Sequence, residues 1–77
     1  MVNVYLQRAI LEVVENQLRD NKPPETKKTF ERLLKEGYSE EDAKKLIGTV
    51  VVSEIFNVLK RGEAYDEERY IKALKKL

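Results

Sequence analysis

Hydrophobic residues recur at helical spacing along the whole chain, and their pattern predicts four helices. Between Val2 and Asp20 they are three and four positions apart, with charged residues on the opposite side, which is typical of an amphipathic helix. The same spacing predicts a second helix from Pro24 to Glu36, a third from Glu40 to Arg61 and a short fourth helix after Asp66. We therefore expect an all-α fold of long, short, long and short helices in a single domain, residues 1–77.

The predicted helix ends carry residues that start or stop a helix. Ser39 and Asp66 each precede acidic residues, so their side chains are expected to cap free backbone N–H groups while the acidic residues favour the positive end of the helix dipole. Asn21, Gly37 and Gly62 follow the first three helices, and all three tolerate the left-handed conformation that ends a helix. These signals predict where helices three and four begin and where the first three helices end.

The third helix is expected at the centre of the bundle. From Leu46 to Leu59 apolar residues cover almost its whole circumference, and such a helix must be surrounded by others. Val50–Val52 favour a strand locally, but the long capped helix around them should override that preference. We expect helices one and two to pack on the Val50 side and helix four to cover the C-terminal half through Ile71 and Leu74.

Two polar residues fall on faces that are otherwise apolar. Gln17 lies in line with the apolar face of helix one, and Glu54 lies among the valines of helix three. We predict that they form a buried polar pair, with the Gln17 amide bonded to the Glu54 carboxylate or to a backbone carbonyl. Glu54 could alternatively be a carboxylate with a raised pKa for acid or base chemistry, or pair with a basic residue of a second copy.

Composition argues against several classes of function. The chain has no cysteine and no histidine, so the common ligands of soft metals and the usual proton shuttle are missing. Glu12 and Glu15 have a spacing reminiscent of di-metal bundles, but those sites need histidines, and both residues fall on the polar face. We therefore expect no metal, no cofactor and no enzymatic activity.

The charge and hydrophobicity of the chain also limit its partners. Fifteen Lys and Arg residues against fourteen Asp and Glu residues give a net charge of +1, which makes nucleic-acid binding unlikely. The Leu46–Leu59 segment is too short and too polar to span a bilayer, and the N-terminus lacks the pattern of a secretion signal. We expect a cytoplasmic protein with no membrane partner.

The two long helices carry more apolar surface than a monomer of this size can cover. Soluble monomers rarely expose large apolar patches, so we expect a structural or interaction protein that forms a homodimer. The predicted interface residues are Val4, Leu11, Val52, Ile55 and Phe56. The alternatives are a ligand-binding or enzymatic module built on Glu54, and an adaptor for another protein that uses Tyr38 and the basic side of helix two.

Several short segments together resemble a known family. They are Asn16–Leu18, Lys22–Pro24, Phe30–Leu33, Ser53–Phe56 and Gly62–Tyr70. In order and spacing they resemble the C-terminal part of an uncharacterised bacterial all-helical family, a domain of unknown function. Gln17 and Glu54 match its pattern, whereas the family's histidines and N-terminal extension have no counterpart here. The resemblance implies an all-helical fold and a linked Gln17–Glu54 pair, and it implies no chemistry.

A second, shorter resemblance concerns the turn between helices two and three. Residues Glu36–Ala43 resemble the loop of ubiquitin-associated domains. Those domains have three short helices, whereas the third helix here is about twice as long, so generic helix–turn–helix chemistry also accounts for the similarity.

Overall fold

Four helices make up the part of the chain that the structure describes. In the computed structural model, residues 4–77 are described, with side chains from residue 5 onward, and the helices are α1 (Val4–Asp20), α2 (Pro24–Lys35), α3 (Glu40–Arg61) and α4 (Glu67–Lys75). The predicted all-α bundle is confirmed, and the bounds of α3 are those that the sequence predicts. Residues 4–77 contain no strand, and the three valines at 50–52 are helical. The predicted start of α1 at Val2 lies outside the described residues.

The capping residues act as the sequence predicts. The side chains of Ser39 and Asp66 each accept a hydrogen bond from the backbone N–H three residues later, at 3.1 and 3.2 Å. Each bond satisfies one of the donors left free at a helix N-terminus. Asn21, Gly37 and Gly62 have φ values of 54°, 104° and 64°, so all three adopt the left-handed conformation that turns the chain out of a helix.

Helices α1 and α3 run antiparallel and approach closely at Gly48. A Cβ atom at this position would lie 3.2 Å from Cγ2 of Ile10, so the Ile10 side chain would have to move by a few tenths of an ångström to admit it. One turn earlier in α3, Lys44 Nζ lies 3.7 Å from Glu15 Oε1 on α1. Residue numbers therefore increase along α3 as they decrease along α1. This antiparallel register determines which residues of the two helices are neighbours.

The hydrophobic core lies where the four helices meet. Its buried residues are Val14, Leu33, Ala43, Ile47, Val50, Val51, Tyr70 and Leu74. Helix α4 packs against both α2 and α3, whereas the sequence predicted a contact with α3 through Ile71 and Leu74. Leu74 is fully buried, but Ile71 is only half-buried and lies outside the core cluster. Tyr70 takes the central place because its ring fills the core while its hydroxyl finds a hydrogen-bond partner.

Candidate interaction surface

Gln17 is the polar centre of the contact between α1, α2 and α4. Its side-chain oxygen Oε1 accepts hydrogen bonds from the Thr26 hydroxyl and from the Tyr70 hydroxyl, both at 2.8 Å. Thr26 is fully buried and Tyr70 is 2% exposed. One amide oxygen thus satisfies two buried hydroxyls from two other helices, and it fixes where these helices sit relative to α1.

Glu54 has a different partner, the Arg69 guanidinium on α4. Arg69 Nη2 lies 2.7 Å from Glu54 Oε2, and Arg69 Nε donates to both carboxylate oxygens at 2.9 and 3.1 Å. Arg69 Nη1 also binds Glu63 at 3.0 Å. Hydrogen bonds to Glu54 and Glu63 raise the pKa of Arg69, so this side chain remains cationic.

The direct bond that the sequence suggested between Gln17 and Glu54 is not formed. Glu54 is only 6% exposed, and a buried carboxylate needs a positive partner more than a neutral amide. Arg69 supplies that partner, while Gln17 is used by the two hydroxyls. The two residues therefore belong to separate contacts, each of which attaches α4 to a different helix.

Tyr70 and Glu54 are ionisable side chains that have hydrogen-bond partners within the fold. Burial raises the pKa of the Tyr70 hydroxyl, while its hydrogen bonds with Thr26 and Gln17 act in the opposite direction. Burial also raises the pKa of Tyr65, whose ring centroid lies 6.1 Å from that of Tyr70. Both oxygens of Glu54 accept hydrogen bonds from Arg69, so this carboxylate has a structural partner.

The outer side of α3 carries a row of exposed apolar side chains, which we call the outer stripe. It consists of Val52, Ile55, Phe56 and Leu59, which repeat at intervals of three and four residues and so share one face of the helix. Their exposed fractions are 41%, 45%, 60% and 78%. The opposite side, which we call the inner face, is buried and consists of Ala43, Ile47, Val50, Val51 and Glu54.

The N-terminal half of α1 adds further exposed apolar surface next to the outer stripe. Because Ile10 faces Gly48 in the antiparallel register, Leu6 lies at the level of Val52, one turn along each helix. Leu6 is 56% exposed. Val13 on the same side of α1 is 38% exposed, but it lies two turns away, near the level of Lys44 rather than of the stripe. In this region the bundle leaves apolar side chains of both long helices accessible to solvent.

Most of the interface residues predicted from the sequence lie on this surface. Val52, Ile55 and Phe56 belong to the outer stripe, whereas Leu11 is half-buried. The side chain of Val4 lies outside the described residues. Sequence reasoning missed Leu59, although its spacing of three residues from Phe56 and seven from Val52 places it on the same face.

Other kinds of site find little support in the described residues. No group of three or more His, Cys, Asp or Glu residues within this part of the chain is arranged to hold a metal ion. No helix of the same part combines the length and apolarity that crossing a membrane requires. Tyr38 is 45% exposed and lines a cleft of about 250 Å³ together with Asp42, Lys45, Leu46 and Thr49 of α3.

Comparison with known proteins gives no relative from which a role could be transferred. The sequence matches no family model, and neither a curated protein nor a solved structure matches it. The resemblance to the bacterial helical family therefore stays a prediction, and function has to be argued from the surface itself.

Proposed function

We propose that this chain is a small cytoplasmic interaction or structural protein that forms a homodimer through the outer stripe of α3. The observation that carries the proposal is the continuous exposure of Val52, Ile55, Phe56 and Leu59 along one helix face. Soluble monomers expose single apolar residues freely, but contiguous patches usually mark a site of association.

The size of the surface supports a second copy as the occupant. The exposed parts of the four side chains amount to roughly 400 Å², comparable with the largest apolar patch of an average monomer, about 300–600 Å². Leu6 of α1, with the flanking polar residues, extends the patch toward the roughly 800 Å² per partner that stable complexes bury. Two copies facing each other would remove both patches from water.

The shape of the surface also suits a symmetric contact. A two-fold axis near Ile55 and Phe56 would place Val52 of one copy against Leu59 of the other in an antiparallel helix pair, because such interfaces are self-complementary. Ser53 and Lys60 flank the stripe and are exposed, and they would form the polar rim that surrounds the apolar centre of an interface. Lys60 Nζ already lies 5.7 Å from the centroid of the Phe56 ring.

The alternative functions have weaker support. A catalytic or ligand-binding role for Glu54 would require a free carboxylate, whereas both of its oxygens accept hydrogen bonds from Arg69. An adaptor surface around Tyr38 would rest on one half-exposed aromatic residue. The outer stripe offers more apolar area than either and needs no rearrangement.

The proposal is tested by replacing the most exposed aromatic residue of the stripe with a charge. We expect the protein to be a dimer by light scattering at micromolar concentration and Phe56→Asp to be a folded monomer, because a buried unpaired carboxylate at the interface is costly. Ser53→Asp is the matched control, since it adds the same charge three residues away on the rim and should leave the dimer largely intact.

A second measurement tests the position of the two-fold axis. The described residues contain no cysteine, nor does the rest of the sequence, so a single introduced cysteine reports on proximity between copies. Ile55→Cys should form a disulfide-linked dimer under mild oxidation, whereas Ser53→Cys should do so much more slowly. A wild-type monomer at all concentrations, or a dimer that survives Phe56→Asp, would reject the outer stripe as the interface.

A further inference from the structure

A small cleft between α2 and α4 brings positive side chains of these two helices together. Its volume is about 200 Å³, and it is lined by Glu25, Lys28, Thr29, Arg32 and Lys75. Three of these five side chains are cationic and one is anionic. The cleft therefore has a local excess of positive charge in a protein whose net charge is only +1.

Thr29 is the unusual member of this lining. It is only 5% exposed, yet its hydroxyl forms no hydrogen bond with any of the described residues. The hydroxyl is not sealed inside the protein either, so the small accessible part of this residue, which lines the cleft, includes its oxygen. An accessible hydroxyl of this kind can donate a hydrogen bond to a molecule in the cleft.

Lys28 and Lys75 are the positive groups available to such a molecule. Among the described residues, neither ammonium group lies within ion-pair distance of a carboxylate. Arg32 has a different role, because its Nη1 binds Glu36 at 2.7 Å and the main-chain oxygen of Leu77 at 2.8 Å. Arg32 thus holds the wall of the cleft, while its charge is largely offset by Glu36.

We infer that this cleft binds a small phosphate-type oxyanion, either free or as the phosphate group of a small metabolite. A tetrahedral dianion has several acceptor oxygens. They can accept hydrogen bonds from the Thr29 hydroxyl and from the ammonium groups of Lys28 and Lys75 at the same time. The volume is below the roughly 300–1,000 Å³ of pockets for larger ligands, so a nucleotide would not fit inside. The site goes beyond the proposed dimerisation, since it lies on other helices.

The test is a titration of the full chain with inorganic phosphate at constant ionic strength, followed by amide shifts in NMR spectra. We expect saturable shifts at Lys28, Thr29 and Lys75. Thr29→Val, which keeps the shape but removes the hydroxyl, should weaken binding about tenfold, as expected for a lost hydrogen bond to a charged group. Thr29→Ser keeps the hydroxyl and should bind almost as the wild type does.

Charge variants on the rim keep the test decisive even if a change at Thr29 disturbs the fold. Lys75→Gln should weaken phosphate binding, and Glu25→Gln should strengthen it because a carboxylate in the cleft repels the ligand. Lys27→Gln is the matched control, since Lys27 is exposed on the same helix but does not line the cleft. It should change binding little.

A parallel titration with glycerol phosphate distinguishes the two sources of the anion. Tighter binding of the ester indicates the phosphate group of a metabolite, and tighter binding of the inorganic ion indicates free phosphate. Shifts that do not saturate, equal losses in Lys27→Gln and Lys75→Gln, or unchanged binding in Thr29→Val would each overturn the proposed site.

Discussion

The two sides of α3 have nearly the same residue types but opposite surroundings. Ile47 on the inner face is fully buried, whereas Ile55 on the outer stripe is 45% exposed. Val51 and Val52 are neighbours in the sequence, yet their exposed fractions are 5% and 41%. Position around the helix, rather than the hydrophobicity of the residue, decides which side chain enters the core.

The comparison also shows that the charged residue is on the buried side. Glu54 lies on the inner face and is satisfied by Arg69, while Phe56 lies on the outer stripe without cover from the described bundle. A buried charge is tolerable once it is paired, and an exposed apolar row is tolerable once a second surface covers it. The inner face is covered within one chain, and the outer stripe is the surface that the proposed dimer would cover.

The largest contrast is expected from identical truncations on the two sides. Ile47→Ala should lower the free energy of unfolding by about 2–5 kcal/mol, because it removes buried methylene groups and leaves a cavity. Ile55→Ala should cost well under half as much in the monomer. Urea denaturation at a concentration that favours the monomer measures both, and equal losses would contradict the assignment of inner and outer sides.

A smaller effect is expected from the two carboxylates that share Arg69. Glu54→Gln should lower the melting temperature by about 5 °C, since a charge-assisted hydrogen bond is replaced by a neutral one in a buried place. Glu63 is about half exposed, and Glu63→Gln should leave the melting temperature almost unchanged because exposed ion pairs contribute little. Calorimetry of both variants checks the order, and a larger loss in Glu63→Gln would reverse our view of this contact.

The smallest effect at neutral pH is expected from Tyr70→Phe. The variant keeps the buried ring and loses one bond to Gln17, which still accepts from Thr26, so the cost should be below about 1 kcal/mol.

Its clearest consequence should appear at alkaline pH. The pKa of Tyr70 is raised above its ordinary value of 10.0 in the fold, so the neutral form is favoured and the associated stability is complete below pH 10.0. This stability is lost as the pH rises through the raised pKa. Unfolding curves at increasing pH should therefore fall more steeply for the wild type than for Tyr70→Phe. Parallel curves would show that Tyr70 does not contribute.

Local signals in the sequence were sufficient for the helices themselves. Ser39 and Gly62 bracket α3, and each acts through neighbouring backbone groups, so a few adjacent residues contain all the information needed. The outer stripe was also largely predictable, because apolar residues three and four apart must share a face. Its actual exposure required the structure, since exposure depends on where the other helices lie.

The partners of the inward polar residues could not be predicted in the same way. Gln17 and Tyr70 are 53 positions apart, and Glu54 and Arg69 are 15 apart in different helices. Helical periodicity gives the side of each helix but not the angle at which helices cross. The Thr29 cleft was missed for the same reason, because it requires α2 and α4 to be neighbours.

The shortest helix has direct bonds to each of the other three, and this has a consequence during synthesis. Tyr70 reaches Gln17 of α1, Arg69 reaches Glu54 of α3, and the Leu74 carbonyl accepts from Arg32 of α2 at 3.3 Å. Because α4 is the last of the four helices to leave the ribosome, Glu54 has no access to its partner Arg69 until that helix has emerged. The three attachments of α4 therefore form last, after the other three helices have been made.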